Sequence, residues 1–176
     1  MAKIDNETLR LFRDPDDLIG FIALHRYEPE NIKIHDSEQF SELPQYLADI
    51  IYILDFETLF DVYGLFAFIE STPGKYLSET IAAFERTGNS ELAGHLTKVQ
   101  NLLVEHGLTF DDLHEQAIER SKILRAKHEE GDEDFELEVN FPELRDAVNQ
   151  TEEELYPLMD ERDYWEKVKD VIRNKI

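Results

Sequence analysis

Carboxylates are the most abundant side chains in this sequence that could act as acids, bases or metal ligands, because 40 of its 176 residues are Asp or Glu. Glu57 and Asp61 lie four residues apart inside an apolar stretch and would share one face of a helix. Such a pair could have raised pKa values or form half of a metal site. The alternative is a structural role, in which the two groups cap a turn or face solvent. We favour the structural role, because structural polar networks outnumber catalytic ones.

Other patterns typical of enzymes are missing from the sequence. It has no Cys, no Gly-x-Ser-x-Gly elbow and no Gly-x-Gly turn. None of its six His residues has another three or four residues away, although a zinc site assembled from separate elements stays open. The acids at 132–134 lack the glycine and the closing Glu of a calcium loop. We therefore predict a protein that is not an enzyme and needs no cofactor. A metal-dependent enzyme that uses Glu57 and Asp61 is the less favoured alternative.

Negative charge is the strongest feature of the composition, with a formal net charge of −22. Residues 129–161, which we call the acidic band, contain fourteen acids and a single basic residue, Arg145. Such a field repels nucleic acids and anionic membranes and attracts basic surfaces. It can also serve only to keep a protein soluble. A local basic stretch precedes the band and consists of Arg120, Lys122, Arg125 and Lys127.

Helix start and stop signals predict the elements that would position these charges. Asp14 and Pro15 are an N-cap and a first helical residue. A central helix starts near Pro44, and it is apolar nearly all round. Gly88 is placed to end a later helix in a left-handed cap, and Thr109 caps the next one with Asp112 at its third position. These signals predict an all-α fold.

The C-terminal part of the sequence gives two further predictions. Thr151 begins a capping box that would open the last helix, interrupted or entered late at Pro157. Alternation of apolar and polar residues at 31–35 and 135–141 predicts a small two-stranded ribbon. No repeat or linker divides the chain, so we predict one domain over residues 1–176. The expected architecture is a bundle of about six helices with at most this ribbon.

Targeting signals are also missing. The first residues turn acidic where a signal peptide would be apolar. The longest nearly uncharged apolar run, residues 62–69, is far shorter than a membrane span. These observations predict a cytoplasmic protein that binds no membrane.

Several segments within residues 47–103 follow a recognisable pattern. Residues 51–58 form an aromatic-led acidic helix, residues 63–74 contain a turn with Gly64 and the trailing aromatic Phe68, and residues 80–88 end in a glycine. In this pattern the chain resembles a bacterial family of small helical proteins of largely unknown function, whose best-known member is an acidic DNA mimic. The chain departs from the family pattern at three positions where Asn, Gly and Asn are usual, namely Asp61, Tyr63 and Glu70.

The resemblance implies a helical domain, often a homodimer. The characterised member presents carboxylates in place of DNA phosphates and occupies a DNA-binding protein. We therefore predict an acidic protein-interaction module, with DNA mimicry as the specific hypothesis and a basic protein as its partner. An immunity or antitoxin-like protein that neutralises a basic toxin is the alternative, and a merely soluble domain is another. The expected phosphate surrogates are Glu129, Glu130, Asp132, Glu133, Asp134, Glu136, Glu138, Glu152, Glu153 and Glu154.

Overall fold

The computed structural model describes residues 3–130 and 141–176, and the fold over these ranges is all-α, as predicted. It contains ten α-helices in the described residues, together with two short 3₁₀ helices at Ile34–Asp36 and Thr72–Tyr76. The α-helices are α1 Asn6–Leu9, α2 Pro15–His25, α3 Glu38–Ser41, α4 Gln45–Tyr63, α5 Leu65–Glu70, α6 Leu77–Arg86, α7 Ser90–Glu105, α8 Phe110–Glu130, α9 Pro142–Glu161 and α10 Tyr164–Arg173.

The prediction of about six helices was too low, because short helices give too few residues for a periodic pattern. Helices α1 and α3 have four residues each and α5 has six. Helices α1 and α3 depend on capping. In α1 the Asp5 carboxylate accepts a hydrogen bond from the Thr8 amide at 2.9 Å, and in α3 the Ser37 hydroxyl accepts one from the Phe40 amide at 3.1 Å. Local caps, rather than an apolar stripe, therefore define these short helices.

The predicted start of the last helix at Thr151 was wrong. Thr151 lies in the middle of α9, and its hydroxyl donates to the Ala147 carbonyl at 3.2 Å, one turn earlier. Pro157 also lies inside α9 and does not end it. The break comes at Arg162, whose left-handed backbone (φ 53°) ends α9 and redirects the chain into α10.

The predicted ribbon is wrong where the structure describes it. Residues 31–33 form a turn, and residues 34 and 35 already belong to the first 3₁₀ helix. Asn31 and Ile34 are buried and Ile32 is 56% exposed, which is the spacing of a turn and not the alternation of a strand. The second stretch predicted for the ribbon, residues 135–141, lies outside the described residues except for Phe141.

Helix α4 is the centre of the core, as its nearly uniform apolar character predicted. Helices α2, α5, α6 and α10 pack around it. Phe56 is fully buried, and its ring meets those of Phe68 and Phe84 edge to face at 5.0 and 5.6 Å between centroids. Edge-to-face pairs of this kind add to the stabilisation from buried apolar area.

Three glycines shape the connections between α4 and α7. Gly64 (φ 83°) separates α4 from α5 and turns the chain back towards the core. Gly74 lies against the carbonyl oxygens of Phe68 and Ile69, where a Cβ atom would collide with the backbone. Gly88 (φ 75°) ends the last turn of α6 before α7, as predicted. Helix α7 then packs against α9, and α8 packs against α5.

Candidate interaction surface on helix α9

Asp55 is the most deeply buried carboxylate of α4, at 1% exposure. It accepts hydrogen bonds from Arg26 Nη2 at 2.8 Å and from the Tyr27 hydroxyl at 3.0 Å, and His35 Nε2 lies 2.6 Å from the same carboxylate. Burial, together with the negative charge of Asp55, raises the pKa of the Tyr27 hydroxyl. All three neighbours come from the chain between α2 and α3, so Asp55 fixes this connection to the core.

Arg26 and His35 are themselves buried, at 2% and 6% side-chain exposure. Arg26 Nη1 also donates to the Asn31 carbonyl at 2.8 Å. The His35 ring stacks on Tyr52 at 5.0 Å between centroids. Arg26 Nε and His35 Nδ1 have no hydrogen-bond partner among the described residues. A buried arginine depends on its carboxylate, because an unpaired charge in the core is strongly unfavourable.

Asp49 connects α4 to α6. Arg86 Nε donates to Asp49 Oδ2 at 3.0 Å while Nη2 of the same guanidinium binds Oδ1, and Gln45 Nε2 donates to Oδ1 at 3.0 Å. The hydrogen bonds to Asp49 raise the pKa of Arg86. This two-point geometry is the one that arginine prefers with carboxylates, so Asp49 also serves the fold.

Glu57 and Asp61 share a face of α4, as predicted, and both lie beside Arg162. Glu57 Oε1 accepts from the Tyr164 hydroxyl at 2.6 Å and from Trp165 Nε1 at 2.9 Å, which fastens α10 to α4. Asp61 pairs with Arg162 at 3.1 Å, and burial followed by the charge of Glu57 raises its pKa. Over residues 3–130 and 141–176, no group of three or more His, Asp or Glu side chains is close enough to hold a metal ion.

The predicted phosphate surrogates divide between described and undescribed parts of the chain. Asp132, Glu133, Asp134, Glu136 and Glu138 lie outside the described residues. Glu129 and Glu130 are exposed at the end of α8, where Glu130 pairs with Lys127 at 3.0 Å. The remaining predicted residues are Glu152, Glu153 and Glu154 in the middle of α9.

Glu152 and Glu154 turn towards the neighbouring helices. Glu152 Oε2 accepts from the Leu65 amide at 2.7 Å and so satisfies a free amide at the start of α5. Glu154 lies 2.7 Å from Lys98 Nζ and 3.1 Å from His95 Nδ1, both on α7, and the hydrogen bond from Lys98 lowers the pKa of Glu154. These two carboxylates therefore attach α9 to α5 and α7.

Glu153 belongs to a different group, the carboxylates that point away from the bundle. These side chains are exposed and make no hydrogen bond or ion pair within the described chain. We call them the α9 acidic face: Glu143, Asp146, Glu153, Asp160 and Glu161. Glu143 and Glu161 are 18 residues apart, or about 27 Å along the helix axis. Viewed down the axis, all five side chains lie within an arc of about 100°.

The sequence count placed all five members of the α9 acidic face in the acidic band, but the predicted surrogates included only Glu153. The signal that identifies the others is spacing: Glu143, Asp146, Glu153 and Asp160 recur at intervals of three and seven residues, which keeps them on one side of a helix. Reading the band as a helix that starts at Pro142, and not at Thr151, would have revealed this face.

An exposed aromatic residue, Tyr156, borders the α9 acidic face. Tyr156 is 44% exposed and its ring contacts Phe60 at 5.0 Å between centroids, while Val62 and Tyr63 are exposed in the last turn of α4. The charge of Glu152, with smaller contributions from burial and from Asp160, raises the pKa of Tyr156.

Comparisons with protein-family models, with curated proteins and with solved structures find no match to this chain. Among the helices of the described residues, none combines the length and apolar character needed to cross a membrane.

Proposed function

We propose that the protein is a cytoplasmic interaction module whose α9 acidic face occupies the basic surface of a nucleic-acid-binding protein, as a mimic of DNA. The observation that carries the proposal is the division of acids along α9. Glu152 and Glu154 are bonded to neighbouring helices, whereas the other five acids of α9 have no partner in the described chain. Their charges are therefore available to a cationic partner.

The spacing of the outward carboxylates supports this choice of partner. Five charges along about 27 Å of helix give roughly one per 5 Å. One DNA strand presents a phosphate about every 3.4 Å, and proteins bind these phosphates chiefly through Lys and Arg. The α9 acidic face is sparser than a DNA strand but of the same order, so a basic groove that fits DNA could bind it.

Rigidity also supports the proposal. Glu152 and Glu154 attach α9 to α5 and α7, and the apolar side of α9 buries Leu144, Val148, Leu155 and Met159. Because both polar and apolar contacts hold α9 in place, the distances between its outward carboxylates are fixed. Binding then loses little conformational freedom, which favours affinity.

Tyr156 offers an anchor residue beside the charges. Tyrosine is enriched among the residues that contribute most to protein interfaces, and its ring also attracts the cationic side chains of Lys and Arg. Tyr156 already has acids around it. A partner's arginine could therefore contact the ring and a carboxylate together.

Charge reversal tests the proposal. The outward variant carries Glu143→Lys, Asp146→Lys and Glu153→Lys. The matched control carries Glu30→Lys, Glu42→Lys and Glu105→Lys, which change net charge equally at exposed acids without partners in the described chain. The immobilised protein is used to capture proteins from lysate at low salt, and a fluorescent DNA duplex is then added as competitor.

We expect the captured protein to bind DNA, to be released by salt, and to be displaced by the duplex. The outward variant should weaken capture by about tenfold or more, because several ion pairs are lost together, while the control stays within about twofold. A partner that stays bound at high salt, or that the duplex does not displace, would contradict DNA mimicry. A captured nuclease whose activity is blocked would instead favour the immunity-protein alternative.

A further inference from the structure

A crevice of about 470 Å³ lies between α3, α4 and α6. Its volume is within the range of pockets that bind small molecules. Gln45, Ala48 and Tyr52 follow each other at intervals of three and four residues, so they line the crevice from one face of α4. The other principal lining residues are Phe40, Leu43, Glu79, Ala82 and Arg86.

Apolar side chains form one part of the wall. Phe40 and Leu43 are each 9% exposed, and Ala48 is 7% exposed. The ring of Phe40 meets the ring of Tyr52 edge to face, at 5.5 Å between centroids. A ligand in the crevice would remove the remaining surface of these side chains from water, which favours a ligand with an apolar part.

Tyr52 brings an unpaired polar atom to the crevice. The residue is 8% exposed, and its hydroxyl makes no hydrogen bond with the described residues. Burial, and next the negative charge of Glu79, raise the pKa of Tyr52, so the hydroxyl keeps its proton at neutral pH. Polar groups that are so deeply buried normally have a partner, because leaving them unpaired costs free energy. The hydroxyl is therefore available to a ligand.

Glu79 supplies a negative charge beside this hydroxyl. It is exposed and has neither a hydrogen bond nor an ion pair in the described chain. Its effect on the pKa of Tyr52 shows that the two side chains lie close together. Arg86 does not balance this charge, because Nε and Nη2 of its guanidinium are both bonded to Asp49. The crevice therefore has one uncompensated carboxylate next to a free hydroxyl.

We propose that the crevice binds a small organic cation, namely a primary alkylamine in its ammonium form. The ammonium group lies between Glu79 and Tyr52 and donates hydrogen bonds to an oxygen of each. The alkyl part contacts Phe40, Leu43 and Ala48. The net charge of −22 agrees with this choice, because it attracts cations and repels anions. The proposal is independent of the interaction proposed for α9, since no residue of α9 lines the crevice.

Three ligands with the same alkyl chain test the proposal. The probes n-hexylamine, n-hexanol and hexanoate have a positive, a neutral and a negative head group at neutral pH. Each is titrated into the full chain at constant ionic strength, and the NMR shifts of backbone amides give the dissociation constant. We expect hexylamine to bind saturably, with shifts centred on Ala48, Tyr52 and Ala82. Hexanol should bind about tenfold more weakly and hexanoate not measurably, because only the ammonium group can pair with Glu79.

Substitutions in the crevice complete the test. Glu79→Gln should weaken hexylamine binding by about tenfold and change hexanol binding by less than about twofold, because it removes only the charge. Tyr52→Phe removes one hydrogen bond and should weaken hexylamine binding by about threefold. The matched control is Glu105→Gln, which removes an exposed carboxylate at the end of α7 and should leave the dissociation constant unchanged. Circular dichroism verifies that each variant is folded.

Three results would overturn the proposal. The first is that hexylamine shifts amides over the whole acidic surface without saturation. The second is that it binds no more tightly than hexanol. The third is that Glu79→Gln binds hexylamine as tightly as Glu105→Gln does.

Discussion

Asp55 on α4 and Glu153 on α9 contain the same chemical group in opposite settings. Asp55 is 1% exposed and has Arg26, Tyr27 and His35 within hydrogen-bonding distance. Glu153 is exposed and has no partner in the described chain. The difference shows that a carboxylate serves the fold when the chain itself supplies the donors, and is available to another molecule when it does not.

The same contrast occurs within a single helix. Glu152 and Glu154 bond to α5 and α7, while Glu153 between them faces solvent. Successive helical residues lie about 100° apart, so neighbours in the sequence point in different directions. A count of acids along the chain therefore adds together groups with different roles.

The largest expected difference between the two settings comes from removing each carboxylate. Asp55→Ala would leave Arg26 buried without its partner, and we expect the free energy of unfolding to fall by about 3–5 kcal/mol. Glu153→Ala is the matched control and should change it by less than about 0.5 kcal/mol. Urea unfolding followed by circular dichroism measures both. Similar losses for the two variants would remove the distinction.

The second largest effect is expected at alkaline pH, where ionisation of a buried tyrosine should lower the free energy of unfolding. Burial, with the charge of Glu79, raises the pKa of Tyr52 from 10.0 to about 12. Because the folded state holds this proton more tightly, the stabilisation is complete below pH 10 and is lost as the pH rises towards 12. The loss attributable to Tyr52 is about 1–2 kcal/mol, because solvent still partly screens its hydroxyl.

Tyr52→Phe separates this titration from others, since it retains the ring and removes the hydroxyl. We expect the variant to lose less stability than wild type between pH 10 and pH 12. Absorbance of the ionised tyrosines follows the titration, and urea unfolding at each pH measures stability. Equal losses in the two proteins would assign the effect to other groups, such as Tyr27 or Tyr164, whose pKa values burial also raises.

Glu57 provides a smaller test of the same principle. Glu57→Gln keeps the shape but weakens the charge-assisted hydrogen bonds from Tyr164 and Trp165, and should lower stability by about 1 kcal/mol. Asp61→Asn affects an ion pair with an exposed Arg162 and should cost less than about 0.5 kcal/mol. Thermal unfolding with and without added divalent metal measures both effects. Stabilisation by metal that disappears in Glu57→Gln would favour the metal-site alternative.

The smallest effect on stability is expected at the α9 acidic face. The variant with Glu143→Lys, Asp146→Lys and Glu153→Lys removes charges that have no partner in the described chain, so its free energy of unfolding should stay within about 0.5 kcal/mol of wild type. Unfolding in urea at low and high salt measures it. A loss of several kcal/mol would mean that these acids also serve the fold.

Local signals in the sequence predicted much of the fold. The cap at Asp14, the glycine at 88 and the Thr109 cap all lie where they were expected, because each depends on residues within one turn. The apolar surface of α4 predicted its central position for the same reason. Short helices and the true start of α9 were missed, since capping in α1 and α3 and the left-handed break at Arg162 leave little trace in a periodic pattern.

The candidate site was less predictable than the fold. Whether an acid has a partner depends on residues far away in the chain: Asp55 meets Arg26, Asp49 meets Arg86, and Glu152 meets Leu65. Sequence spacing cannot report such pairs. It can report which acids share a helical face, and that information identifies the α9 acidic face once the start of the helix is known.

Because the Leu65 amide donates to Glu152, its rate of hydrogen exchange reports whether α9 keeps its position against α5. Glu152 precedes Glu153 in the chain, so the acceptor of the first peptide group of α5 lies next to the surface proposed to bind a partner. If docking twists or lifts α9, this amide loses its acceptor and exchanges its proton with solvent faster. If docking leaves α9 in place, the exchange rate at Leu65 stays constant, and the partner has adapted its shape to the helix.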